Sequence, residues 1–291
     1  MPILLNCPGC KRTLRVKDEH AGKTLRCPAC GQSAVVPTAG GGRDQEARGA
    51  AEPARDRELD CGPGVKMKLA LIPAGSFMMG SPDSDPDALV SEKPQHKVTI
   101  TKPFYIGIYA VTQDQYQAVM GSNPSVYKGG ANPVEKVNWH DAAAFCEKLS
   151  AKTGKNIHLP TEAQWEYSCR AGGTGVFSGT GRLDQMGWYD GNSGGRTHPV
   201  GQKKPNAWGL YDMHGNVWEW CADWFGVDYY ANANDEDPQG PSSGPVRVLR
   251  GGCWVFNPGR CRSALRYMGF PDYRNFGGST GFRVVVASGV D

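Results

Sequence analysis

Ten cysteines fall within 291 residues, and four of them are spaced for a metal ion. Cys7-Pro-Gly-Cys10 and Cys27-Pro-Ala-Cys30 are two CxxC knuckles with sixteen residues between them. Two thiolates on one tight turn can reach a single tetrahedral ion, and a second such pair completes its shell. The other reading of a CxxC is a redox dithiol, but that motif ordinarily comes once and opens a helix. The expectation is therefore a structural zinc held by Cys7, Cys10, Cys27 and Cys30. A closed four-thiolate shell leaves no open position for a substrate.

A second concentration of chemistry lies at residues 206–224, with four Trp and three acids in 19 residues. Large indoles must bury most of their rings while each N–H finds an acceptor. The expectation here is a buried irregular loop, closed around a cation through Asn216 and Glu219. Asp212, Glu219 and Asp223 could instead pair with Arg247, Arg250 or Arg283, and a buried ion-pair network is expected for all but Glu219. The histidines are scattered and show no HxxxH or facial-triad spacing. Cys146, Cys169 and Cys221 are expected in the core, since free cysteine packs as a small hydrophobe.

The third candidate is the stretch 253–280. Trp254, Phe256, Tyr267, Phe270, Tyr273 and Phe276 stand among Asn, Pro, Gly and Arg without strand alternation. Amphipathic aromatics on irregular backbone suit a binding surface. Packing of a last hairpin into the core explains them equally well. Cys253 and Cys261 lie in the same stretch.

The elements that must position these groups are short. Thr13–Val16 and Lys23–Arg26 read as strands of a small ribbon over residues 1–37. Residues 38–60 are rich in Gly, Ala, Glu, Arg and Pro, with Leu59 the sole large apolar side chain, and read as a flexible tether. The main domain is expected over 61–291. Met67, Leu69 and Leu71 alternate with polar neighbours as in a strand. Thr112 with Gln115, and Thr161 with Gln164, are capping boxes that open two helices. A further helix follows Asn138 or His140 and stops at Gly154. Strands return at 246–251 and 281–286. The composition agrees: 39% hydrophobic residues, 39 Gly and 21 Pro describe a loop-rich α+β protein, not a helix bundle.

The order of motifs resembles the formylglycine-generating enzyme (sulfatase-modifying factor) family. The landmarks run from Pro73-Ala-Gly-Ser-Phe-Met-Met-Gly80 through Leu159-Pro-Thr-Glu-Ala-Gln-Trp-Glu-Tyr167 and Pro205-Asn-Ala-Trp-Gly-Leu-Tyr-Asp-Met213. They continue with Gly215-Asn-Val-Trp-Glu-Trp220, Arg250-Gly-Gly252 and Gly281-Phe-Arg283. The N-terminal knuckles resemble the zinc-ribbon heads of many bacterial proteins. The resemblance implies a compact α+β fold related to C-type lectins, with calcium sites, one using Asn216 and Glu219. It also implies a copper(I) oxidase that converts a peptide cysteine of a sulfatase to formylglycine. In that family two cysteines spaced CxxxxC after a Gly-Gly-Ser turn hold the ion, and linear thiolate coordination suits copper(I). Here Cys253 stands where the family has its serine, and Phe256 stands at the first ligand cysteine. Cys261 matches the second when counted from the turn, but not when counted back from Ser263-Ala-Leu-Arg266. The same stretch also resembles the ligand-binding region of lectin-fold proteins diversified by retroelements.

Cys253 and Cys261 are accordingly read in three ways. They form a rearranged copper pair, or a disulfide or pair of free thiols in the core, or Cys253 is an exposed thiol beside a buried Cys261. The favoured function is a protein- or peptide-binding member diverged from formylglycine formation or an altered oxidoreductase, and the alternative is the active oxidase. Zinc and calcium are the expected structural cofactors, with copper only if the oxidase is retained. A net charge of +3 and a ribbon with no interleaved aromatic argue against nucleic acid. The absence of a long apolar run argues against a membrane span. A cytoplasmic monomer is the default expectation.

Overall fold

The structure, a computed structural model, describes residues 3–6, 13–20, 23–36, 57–274 and 277–288. It divides into two units, Met1–Glu52 and Pro53–Asp291. In the first, β1 (Ile3–Asn6) pairs antiparallel with β2 (Thr13–Val16), and β3 (Thr24–Arg26) pairs with β4 (Ser33–Val35). β2 and β3 agree with the two strands read from sequence, and each pairs with a strand that the sequence reading did not name. Cys27 is buried and Cys30 is exposed. Cys7 and Cys10 lie outside the described residues, so the four-thiolate set is not on view.

The second unit begins earlier than its sequence suggested. β5 (Arg57–Gly62) pairs with β6 (Val65–Ile72), so the tether ends before Arg57 and not at Asp60. Charged residues at alternate positions disguised β5, yet Leu59 and Cys61 are buried in the core. β7 (Gly75–Met79) and β8 (His96–Ile100) form a hairpin. β9 (Phe104–Gly107) joins β6 on one side, and on the other it joins β17 (Val285–Ala287), which pairs in turn with β10 (Ile157–His158). The result is a five-stranded antiparallel sheet in the order β10-β17-β9-β6-β5.

Three helices pack on these sheets, each starting where its sequence signals. α1 (Gln113–Met120) is capped by Thr112 in a box with Gln115 and stops at left-handed Gly121. α2 (Trp139–Thr153) is capped by Asn138, not His140, and stops at Gly154. α3 (Glu162–Arg170) is capped by Thr161 in a box with Gln164. Each cap satisfies backbone N–H groups that a helix leaves without partners. A fourth, one-turn helix, α4 (Leu183–Met186), precedes the short parallel pair β11 (Gly187–Trp188) and β12 (His214–Gly215).

The Trp-rich stretch is only partly the loop that its composition suggested. Trp218–Trp224 is β13, flanked by β14 (Arg247–Arg250) and by β16 (Thr280–Gly281), with β15 (Tyr267–Gly269) at the far edge. Trp218, Glu219, Trp220 and Cys221 are all buried. A strand covered on both faces loses the polar-apolar alternation by which strands are recognised. Alternation survives in direction: Trp218 and Trp220 enter one apolar cluster, and Cys221 enters the other. Gly215, at φ +80°, is required where the chain turns into this strand, because a Cβ there would overlap the Trp188 carbonyl.

Candidate functional site

The four-stranded sheet carries Glu219, Asp223, Arg247, Arg250 and Tyr267 among the residues singled out above. Glu219 on β13 faces Arg283, which grips it bidentately, Nε to Oε2 at 2.6 Å and Nη2 to Oε1 at 2.7 Å. Trp165 of α3 donates its indole N–H to Oε2 at 2.7 Å. Asn216, at φ +61°, clasps the backbone of His198, accepting its N–H and donating to its carbonyl, both at 3.1 Å. Both side chains are thus committed to protein partners, and Arg283 places a positive charge against Glu219. The pair does not fit a shared calcium, and no metal-holding group of three His, Cys, Asp or Glu occurs among the described residues. Glu219 joins the ion-pair network from which sequence had excepted it.

The rest of that network differs in its partners. Arg250 binds Glu166, Arg266 binds Glu162, and Arg262 binds Glu92 through two bonds of 2.7 Å. Asp212 instead accepts the Gly201 N–H at 2.7 Å, and Asp223 accepts the Glu162 N–H at 2.8 Å. Burial raises Asp223 to about 8, with the Glu162 charge adding to the effect. Arg247 forms no ion pair with a carboxylate among the described residues; its guanidinium lies 3.9 Å from the Trp139 ring centre and 3.4 Å from that of Trp224.

Cys253 and Cys261 are both fully buried free thiols. The disulfide and the exposed thiol are thereby corrected: the hydrophobic wall formed with Trp218, Trp220 and Leu265 accommodates Cys253 as a core residue. The two cysteines are neighbours, since Gly252, next to Cys253 in the chain, packs against the Cys261 sulfur. Gly252, at φ +77°, permits this approach; a Cβ there would lie 2.5 Å from that sulfur. Burial pushes the Cys253 thiol up to about 12 and raises Cys261 as well. Desolvated thiols of this kind are poor nucleophiles.

Phe256 occupies the position of the first copper ligand, and its ring takes part in a packed aromatic group. Trp218 stacks on Tyr267 at 4.9 Å and 16°, and Phe256 meets the Trp218 edge at 5.8 Å. A phenyl group cannot ligate copper, so Phe256 and Cys261 do not make the family's two-thiolate site, and the rearranged pair Cys253 and Cys261 is the two-thiolate set this chain retains. The same contacts correct part of the expected binding surface. Phe256 and Tyr267 pack against the core, whereas Phe270 is 63% and Tyr273 46% exposed. Met268 and Val255 are exposed with them. Trp254 is half-buried and donates its indole N–H to the Gly278 carbonyl at 3.0 Å. Phe276 lies outside the described residues.

One cluster escaped the sequence reading. His214, Ser178 and Cys169 meet in the interior. His214 Nε2 accepts from the Ser178 N–H (3.0 Å) and lies 2.8 Å from its hydroxyl, while Nδ1 donates to the Cys261 carbonyl at 2.8 Å. Cys169 Sγ lies 3.8 Å from Nε2. Burial lowers His214 to about 4 and raises Cys169 to about 12, so this is a neutral pair supporting the Cys261 backbone. Only the nearness of each residue in the fold reveals it; their spacing in the chain carries no signal.

Comparison with known proteins agrees with this architecture. Residues 64–288 match the sulfatase-modifying factor enzyme 1-like domain, and the chain belongs to that family. It is 31% identical over 275 residues to chaperone protein LppX of Paenibacillus barcinonensis, covering 76% of this chain and 90% of that one. It is 29% identical to the formylglycine-generating enzyme of Thermomonospora curvata, covering 74% and 92%. Among solved structures it resembles Treponema denticola variable protein 1, with 33% identity and a TM-score of 0.73 over 80% of this chain and 99% of that one. The mixed α/β fold with few helices is the fold of this family.

Proposed function

We propose that the chain is a protein- or peptide-binding member of the sulfatase-modifying factor family that has diverged from formylglycine formation. The supporting observation is the place of Phe256: where the family's oxidase needs a thiolate, this chain has a phenyl ring packed on Trp218 and Tyr267. The binding face is the edge beside β15, where Phe270, Tyr273 and Met268 stand in solvent. Exposed aromatics with one polar end form effective contact surfaces. The fold relation to C-type lectins is part of the same proposal.

In the unit that precedes it, Cys7, Cys10, Cys27 and Cys30 hold a structural zinc in this reading, as their spacing requires. The chain then acts as a cytoplasmic monomer whose ribbon needs metal to fold. A second functional reading, the active oxidase, is favoured by the nearness of Cys253 and Cys261 across Gly252 and by relatives named formylglycine-generating enzyme.

A random peptide display library screened against the whole immobilised chain tests the binding proposal. Specific peptides are expected to be recovered, and a Phe270→Ala, Tyr273→Ala double variant is expected to lose them. Equal recovery by both proteins would contradict the assignment of this face.

A further inference from the structure

Beside Trp254 lies a cavity of 390 Å³ whose lining includes Tyr127, Lys128, Asn132, Arg196, Thr197 and His198. No aspartate or glutamate lines it. Lys128 and Arg196 are exposed, whereas Asn132 and Thr197 are buried. The Thr197 hydroxyl is buried without a hydrogen-bond partner. A buried hydroxyl left unpaired costs on the order of 1–3 kcal/mol.

The walls are fixed before any ligand arrives. The Val200 N–H donates to the Ala131 carbonyl at 3.0 Å and ties the two loops together. His198 stacks on Trp188 at 3.8 Å and 14°, with Nε2 2.6 Å from the Ser193 carbonyl. Asn216 clasps the His198 backbone from the other side. Glu135, which is not a lining residue, spends Oε1 on the Val126 and Tyr127 N–H groups, and burial raises its pKa.

The cavity walls also contact Trp254. The Tyr127 ring meets Trp254 edge-on at 5.3 Å, and the Ser193 hydroxyl donates to the Trp254 carbonyl at 2.8 Å. Two cations, a phenol and an amide line the cavity with no carboxylate in the lining itself, Glu135 facing Lys128 from outside it, and such a lining suits an anion. We propose that this cavity receives the carboxylate of an acidic residue in the bound peptide. The inference rests on the peptide-binding reading, and it assigns the partner an acidic side chain.

The same peptide library, screened on the whole chain, supplies the test. Recovered peptides are expected to be enriched in Asp and Glu at one position. Lys128→Glu with Arg196→Glu is expected to abolish that preference and weaken a recovered peptide about tenfold, as for loss of a charge-assisted contact. Lys102→Glu with Lys155→Glu makes the same change in net charge at exposed sites elsewhere and is expected to leave the preference intact. An absent preference, one unchanged by the Lys128 and Arg196 variant, or one lost equally in the control pair would overturn the assignment. If only Phe270→Ala and Tyr273→Ala matter, the cavity proposal fails and the binding face stands. If no peptide is recovered at all, both fail. Displacement of the peptide by inorganic phosphate supports a shared anion site, whereas phosphate binding without any acidic preference overturns the peptide carboxylate.

Discussion

Phe256 meets the edge of Trp218 at 5.8 Å, and Trp218 in turn stacks on Tyr267 at 4.9 Å. Three rings thus close the place where the family's oxidase holds one of its two ligand thiolates. The consequence is structural as well as chemical, because these rings line the core cluster that contains Cys253. Phe256→Ala should lower unfolding stability by about 2–4 kcal/mol, the range for truncating a packed ring, reduced from the full value by its partial exposure. Denaturant titration measures this. An unchanged midpoint would show that the ring is not part of the packing.

Arg283 and Glu219 are each buried to within a few per cent and are each other's counter-ion. Replacing Arg283 by Met should cost about 3–5 kcal/mol, since a carboxylate is left buried and uncompensated. Combining Arg283→Met with Glu219→Gln should recover a substantial part of that loss. A double-mutant cycle in thermal or denaturant unfolding reads the coupling directly. Additive losses would mean the two groups do not interact.

His214 gives the stability a definite dependence on acid. Its folded pKa is about 4, against 6.5 when unfolded, because burial disfavours the charged ring. The unfolded chain therefore binds more protons between these values, and stability should fall as pH drops from 6.5 towards 4. At about 1.4 kcal/mol per pKa unit the loss approaches about 3 kcal/mol. Asp223 acts in the opposite sense: its folded pKa is raised from 3.8 to about 8, so its contribution declines as pH rises through that window. Unfolding curves at several pH values should show the acid limb flattened in His214→Gln and the neutral limb flattened in Asp223→Asn. Unaltered slopes in both variants would contradict these assignments.

Elemental analysis of the purified chain should return about one zinc per molecule, the capacity of one four-cysteine shell. Cys27→Ser should remove most of it. A metal-free native chain would end the zinc proposal.

Much of the fold was legible because its signals are local. Thr112, Asn138 and Thr161 each cap a helix with a partner three residues on, and β6 shows its buried residues at alternate positions. β5 was hidden because Glu58 and Asp60 occupy its exposed side and Arg57 opens its other face. β13 was hidden because both of its faces are covered. The site was less legible, since its decisive contacts join distant residues. Glu219 and Arg283 lie 64 positions apart, and nothing in either motif shows that one answers the other. The exposure of Phe270 and the partial burial of Tyr267, three residues away, depend on where β15 ends, which composition does not determine.

The account turns on whether this chain can oxidise a peptide cysteine. Incubation of the whole protein with copper(I), oxygen and a sulfatase-type cysteine peptide, followed by mass spectrometry of the peptide, measures that directly. The predicted result is an unmodified cysteine, with the Cys261→Ser variant indistinguishable from the native chain. An aldehyde formed by the native chain and abolished by Cys261→Ser would contradict divergence from formylglycine formation.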